Sequence, residues 1–413
     1  MKNKKNSLKD LLRPAAIVLS GLILCVHGPS IARAEETKSP VTPASDAQNK
    51  LLPDQPVRIG YFHGGRTALM LRIYETDGFA KRGLKVDYYA APLRGKEYKL
   101  VPRSIEEFNE GGTDNVGKTK GTELIDALLE GKFDLAMVGE SSFIYSIHSG
   151  KPIVAIAELG HDVKGQAGHV FLMRKGLRTG KPQDYFGKIV VSRRAGPGDA
   201  IFLREYLEHA GVNLKTSAVY LKSLPKNRVE KKLLPSDKVL IAEDVYEDDM
   251  RKGVMNGVID GGYFHLMGVP KKSRDFDTIE SLDAFANPEL SHAVLVCTKD
   301  FLRANREELV TLLEVYIERI KYEHGLSYEE RTKSQNKGLQ MALDLNGLNY
   351  PQYDLVPTVG TGLLYDVKKL LEKHGFISRK DVKIENYTDN SLVYEALKKL
   401  NLTEKDDYWQ SKY

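Results

Sequence analysis

The stretch "RIGYFHGGRTALMLR", residues 58–72, sets a histidine, two glycines and an arginine between a strand-like run and a helix-like run. Glycines at such a junction let the backbone come close to a ligand. A helix that starts beside them aims free N–H groups and partial positive charge at the same point. His63, Gly64, Gly65, Arg66 and Thr67 therefore form a candidate ligand edge, and the planar guanidinium of Arg66 suits a carboxylate, sulfonate or phosphate. Three other stretches have similar chemistry. Gly139, Glu140, Ser141 and Ser142 follow the apolar run "DLAMVG", where the serines either donate hydroxyls to a ligand or cap a helix. "SRRAGPGD" carries Arg193, Arg194, Gly196, Gly198 and Asp199, and its arginines are either ligand clamps or a solvated pair. Tyr263 and Phe264 are placed to stack on a ring or to pack under an interface, with His265 as a hydrogen-bond donor. The cations of these four stretches (Arg66, Arg193, Arg194, His63, His265) outnumber the acids (Glu140, Asp199). That balance favours an anionic or amphoteric organic ligand with a flat apolar part.

Several chemistries are excluded by spacing. Gly64-Gly65 lacks the GxxxxGK[ST] phosphate loop, and Ile201 stands where the third glycine of a dinucleotide fingerprint would follow Gly196 and Gly198. HExxH, CxxC and GxSxG are all missing, and the ten histidines are scattered. The acidic run "EDVYEDD" lacks the glycine and spacing of a calcium loop. The expectation is that the chain has no catalytic residue, no cofactor and no metal.

The elements that must position these residues begin after an unusual N-terminus. "MKNKKNSLKDLLR", the apolar "AAIVLSGLILCV" and the small residues "ARA" have the three-part form of a cleavable signal peptide over 1–34, and the apolar run is short for a bilayer span. That segment holds six Lys/Arg and one acid, so the remainder balances at 55 basic and 55 acidic groups. No global field then argues for nucleic acid or an anionic membrane. Cleavage would also remove Cys25 and leave Cys297 alone in "AVLVC", as a small core residue with no disulfide partner.

Residues 35–54 read as a flexible leader. From Val57, strand-like and helix-like runs alternate: "VRIGYF", a helix over 67–83 ending on Gly83, "LKVDYYAA", "GTELIDALLEGKFDLAMVG" and "KPIVAIAEL". The cadence restarts with "GHVFLMRKG", "GKIVVS", "DAIFLREYLEHAG" and "RKGVMNGVIDGGYF", and it closes on "SHAVLVC" and a long amphipathic helix. Such alternation implies α/β architecture with a largely parallel sheet, and the residues beyond about 325 read as helical. The polar segments 93–120 and 222–250 interrupt the pattern and read as solvated insertions.

Four stretches in order carry a family resemblance: "VRIGYF…GFAKRGLKVDYYAAP", "ALLEGKFDLAMVGESSFIYSIHSGKPIVAIAEL", "FGKIVVSRRAGPGDAIFLREYLEHAGV" and "MNGVIDGGYFHLMG". Together they resemble the periplasmic substrate-binding proteins of ABC transporters, in the nitrate/sulfonate/taurine and pyrimidine-precursor group. The resemblance runs from about residue 56 to 400. It implies a two-lobed periplasmic-binding-protein fold (type II) with two mixed, largely parallel sheets, a hinge and a C-terminal helical extension. Lobe 1 would take 55–165 and 291–345, lobe 2 would take 166–290, and the extension 346–413. The implied protein is a periplasmic monomer that closes over a small molecule and hands it to an ABC permease in the inner membrane. A ligand sensor, or an enzyme acting on a pyrimidine-like or sulfonate substrate, is the alternative.

Overall fold

A computed structural model describes residues 50–61, 65–90, 97–100, 120–165, 168–194, 196–265, 276–327, 329–331, 333 and 352–406. The proposed signal peptide and most of segment 93–120 lie outside these residues. Two six-stranded sheets organise the rest, and helices of eight or more residues are numbered below in chain order.

The first sheet starts with β1 (Val57–Gly60), whose two neighbours are both parallel to it: β2 (Val86–Ala90) and β4 (Leu135–Gly139). Between them come α1 (Ala68–Glu75), the two-residue β3 (Lys99–Leu100) and α2 (Gly121–Leu129). Helix α3 (Glu140–His148) follows β4 directly, and β5 (Ile153–His161) closes the sheet edge. Every residue of β4 up to Val138 and all of β5 is buried, as the unbroken apolar runs require of strands covered on both faces. The helix expected over 67–83 ends at Glu75. Thr76 Oγ1 bonds back to the Arg72 carbonyl, Asp77 takes a left-handed φ of 53°, and a separate short turn runs to Gly83.

The chain leaves this sheet after His161 and builds the second. Its strands are β6 (His169–Arg174), β7 (Ile189–Arg193), β8 (Ala218–Tyr220), β9 (Val239–Val245), β10 (Gly261–His265) and β11 (Phe276–Ser281), in the order β11-β6-β10-β7-β9-β8. Helices α4 (Pro197–His209) and α5 (Glu247–Met255) connect them. The chain then returns to the first sheet as β12 (His292–Thr298), which runs antiparallel between β4 and β5. Two features differ from the sequence reading. Segment 222–250 contains β9, an interior strand with a buried "VLIA" face, so it is not merely a solvated insertion. The stretch with Tyr263, Phe264 and His265, placed by the sequence among the strand-tip candidates, lies within β10 itself, where Gly262 crowds the Val191 carbonyl of β7 too closely for any Cβ.

After α6 (Arg306–His324), residues 352–359 are extended rather than helical and hydrogen-bond along β5: Glu158 N donates to Pro357 O at 2.9 Å and His161 N to Gln352 O at 3.1 Å. Two helices end the described chain, α7 (Thr361–Lys373) and α8 (Ser391–Lys399). Helix α8 packs on α6, while α7 lies against both α3 of the first lobe and α4 of the second. Its buried face, Leu364, Val367 and Leu371, joins an apolar layer shared by the two lobes, with Phe143 and Ile144 from α3 and Ile201, Phe202 and Leu203 from α4. Ion pairs from Lys373 to Glu205 (2.6 Å) and Glu208 (2.8 Å) lie at its exposed end.

The apolar contacts hold α7 more strongly than these exposed pairs do. Leu364→Ala is expected to lower unfolding free energy by about 2–5 kcal/mol, the usual cost of a core truncation. Lys373→Ala should cost less than about 1 kcal/mol. Denaturant titration of both variants checks this, and equal losses would contradict it.

Candidate functional site

The two sheets meet at their carboxyl edges. Helix α3 begins immediately after β4, with Gly139 at its N-cap and no side chain capping it, so Ser141 and Ser142 keep their hydroxyls for other contacts. Helix α4 begins after β7, with Pro197 in its first turn and Gly196 at a φ of 102°. These two helix starts abut. A Cβ on Gly198 would lie 2.7 Å from Ser141 Oγ and 3.3 Å from Glu140 Oε1, and a Cβ on Gly196 would lie 2.8 Å from Ser142 Oγ. The glycines of "AGPGD" thus let one lobe touch the other.

Arg66, in the short turn that opens α1, is three-quarters or more buried and reaches β12. Its Nη1 donates to the His292 carbonyl at 2.9 Å, its Nη2 donates to Ser291 Oγ at 2.7 Å, and Nη1 lies 3.5 Å from Glu140 Oε2. Burial lifts the Glu140 carboxyl above the usual glutamate range, against the opposing pull of Arg66 and His292. On the second lobe, Arg193 Nε donates to Asp199 Oδ2 at 2.5 Å. Arg194 Nη2 donates across the lobes to Glu123 and stacks its guanidinium 5.0 Å from the Tyr246 ring centre. Lys120 Nζ makes a second cross-lobe pair with Asp244 at 2.5 Å.

Tyr263 is fully buried and stacks on His169, with ring centres 5.2 Å apart and planes within 1°. Burial, reinforced by Arg66 and Arg193, holds the His169 imidazole well below its ordinary range. In the neutral ring, Nδ1–H donates to Asp162 Oδ2 at 2.9 Å. Phe264 packs on the outer side of the second sheet against Phe276, away from His169. Register pairs Tyr263 with Ser192 of β7, so both side chains leave the same face. The hydroxyls of both residues are buried without a hydrogen-bond partner, while Glu140 Oε2 has the Arg66 ion pair and no hydrogen bond.

The structure thus brings together Arg66, Glu140, Ser141, Ser142, Gly196, Gly198 and, through the field that Arg66, Arg193 and Asp199 exert on it, Tyr263. Thr67 is buried at the start of α1, beside Gly65 and Arg66. Arg194 faces the lobe boundary at Glu123. His63 and Gly64 lie outside the described residues, and His265 ends β10. Sequence reasoning missed Asp162, His169, Ser291 and His292, and it included Ser192 in the third stretch without giving it a role. His169 and His292 open β6 and β12, the reversed strands of their sheets, so they reach the shared edge from the amino end. A search restricted to loops after strands passes over them.

At the end of β5 a second polar group forms. Glu158 Oε1 accepts from His161 Nδ1 at 2.9 Å. Burial opposes charge on His161, but the Glu158 hydrogen bond and carboxylate outweigh it and raise the imidazole to about 9.

No family model matches the chain, and no curated protein sequence does. Solved structures do match. The periplasmic aliphatic sulphonate binding protein SsuA from Escherichia coli is similar over 80% of this chain and 91% of its own, at 14% identity and a TM-score of 0.53. The periplasmic nitrate-binding protein NrtA from Synechocystis is similar over 85% and 90%, at 10% identity and a TM-score of 0.57. The desulfurization enzyme DSZB is similar over 83% and 99%, at 12% identity and a TM-score of 0.52. The fold is that of type II periplasmic binding proteins, as the sequence resemblance implies, with structural similarity to the sulfonate/nitrate group over most of the chain. No helix among the described residues is long and apolar enough to cross a membrane.

The glycine contact can be tested by a paired substitution. Gly198→Ala should destabilise the protein by about 1–3 kcal/mol, because the new methyl group crowds Ser141. Adding Ser141→Gly should recover part of that loss. Additive losses in a double-mutant cycle would contradict the contact.

Proposed function

We propose that this chain is an extracytoplasmic solute-binding protein that takes a small anionic or amphoteric organic ligand, of the sulfonate, nitrate or pyrimidine-like class, between its lobes. It then delivers the ligand to an ABC permease. The observation that carries this reading is the pair of buried hydroxyls without a hydrogen-bond partner at the lobe boundary, on Ser192 and Tyr263. A buried polar atom without a partner costs about 1–3 kcal/mol, and a ligand that satisfies it recovers that cost on binding. Two hydroxyl donors near the Arg66 and Arg193 guanidiniums suit an oxyanion. The Tyr263–His169 stack supplies a flat wall.

Of the five cations named from sequence, the three whose side chains the structure describes each meet an acid: Arg66 faces Glu140, Arg193 faces Asp199, and Arg194 faces Glu123 and Asp244. Net positive charge is therefore a weaker argument for an anion than directed donors are. Opening the cleft has to break the half-exposed pairs Lys120–Asp244 and Arg194–Glu123, which is cheap. It also has to part α3 from α4, while α7 stays with one of them.

The structural likeness to a desulfurization enzyme gives an enzymatic reading a specific basis, so the test must separate binding from turnover. A thermal-shift panel of alkanesulfonates, nitrate and pyrimidine precursors should yield a ligand that raises the melting point and is recovered chemically unchanged. Conversion of that ligand would replace binding with catalysis. For an anionic ligand found this way, Arg66→Ala should weaken binding by about 1.5–3 kcal/mol in calorimetric titration, the range of a charge-assisted hydrogen bond. Unchanged affinity would remove Arg66 from the site.

A further inference from the structure

Glu158 and His161 lie in the last four residues of β5, just before the chain crosses to the second lobe. The extended segment after α6 runs back along this strand, held by reciprocal backbone bonds between His161 and Gln352 at 3.1 and 2.9 Å and by the bond from Glu158 N to Pro357 O. These bonds fix Asp354 against the strand end. One ligand-type atom from each of Glu158, His161 and Asp354 lies within 4.8 Å of the other two, and Glu158 and His161 are buried.

A second observation comes from the neighbouring strand. His292 of β12 is the register partner of His161, so both imidazoles leave the same face of the sheet. His292 Nδ1 lies 3.2 Å from the Glu289 carbonyl, which makes that nitrogen the donor and leaves the lone pair on Nε2. That Nε2 is fully buried and has no hydrogen-bond partner. An imidazole oriented through Nδ1 by a backbone carbonyl, with its Nε2 lone pair unused, is in the state in which histidine binds metal.

We propose that Glu158, His161 and Asp354 form a divalent-metal site at the hinge end of β5, on the sheet face that also carries His292. An imidazole beside two carboxylates suits zinc rather than calcium or magnesium, which favour oxygen donors alone. Glu158 and His161 are three residues apart, but Asp354 joins them only through the paired segment, so no spacing motif announces the set, and the expectation of no metal came from motif spacing. The cluster of Glu205, Glu208 and His374 offers a contrast. There Lys373 already sits against both carboxylates as the cation, and none of the three residues is buried.

The proposal stands independently of the ligand assigned to the Arg66 region. The full chain, stripped with chelator and titrated with zinc chloride in a calorimeter, should bind one zinc ion. Asp354→Asn, which changes one atom in a partly buried segment, and His161→Ala should each weaken zinc binding by at least about ten-fold. Glu205→Gln should leave it unchanged. The Asp354→Asn protein should melt within a degree or two of the parent when chelator is present, which separates a lost ligand from a damaged fold. No zinc uptake, equal affinity in the parent and Asp354→Asn, or loss of binding in Glu205→Gln would overturn the proposal.

Discussion

Everything at the lobe boundary depends on how closely the starts of α3 and α4 approach each other. Gly196 and Gly198 face Ser142 and Ser141 at distances where a single methyl group would collide. Because nothing larger than hydrogen projects there, the carboxyl edges of two sheets can share one polar seam instead of being held apart. The same approach brings Arg66 of one lobe within the field of Tyr263 and His169 of the other. Ordinary side chains in place of these glycines would widen the seam and admit water to groups that are now buried.

Within the seam, charge is nearly balanced. Arg66 is opposed by Glu140, and Arg193 by Asp199. Paired burial of this kind contributes little net stability, but removing one partner is costly. It leaves the Ser192 and Tyr263 hydroxyls, rather than excess cations, as the uncompensated polar groups of the seam. The apolar layer beneath is continuous across both lobes and is bridged by α7. The two lobes therefore share packing, and they are less independent than a simple pair of closing halves.

The alternation of strands and helices was legible because both sheets are fed mainly by strand–helix crossovers with unbroken apolar strands. The turns at Gly139 and Gly196 were legible for the same reason. What the sequence hid follows from strand reversal and from length. β6 and β12 run against their neighbours, so His169 and His292 reach the seam from strand starts. β9 is flanked by charged runs that masked "VLIA". Residues 352–359 adopt an extended path because β5 offers them backbone partners, a tertiary effect that no local propensity encodes. The Glu158–His161–Asp354 group escaped notice for the same reason, since Asp354 joins it only through that pairing.

A crystal structure of the protein grown with an alkanesulfonate tests the central claim most directly. The account predicts sulfonate oxygens within hydrogen-bonding distance of Arg66 or Arg193 and of the Ser192 or Tyr263 hydroxyl, enclosed between α3 and α4. A sulfonate bound elsewhere on the chain, with Ser192 and Tyr263 still partnerless, would contradict it.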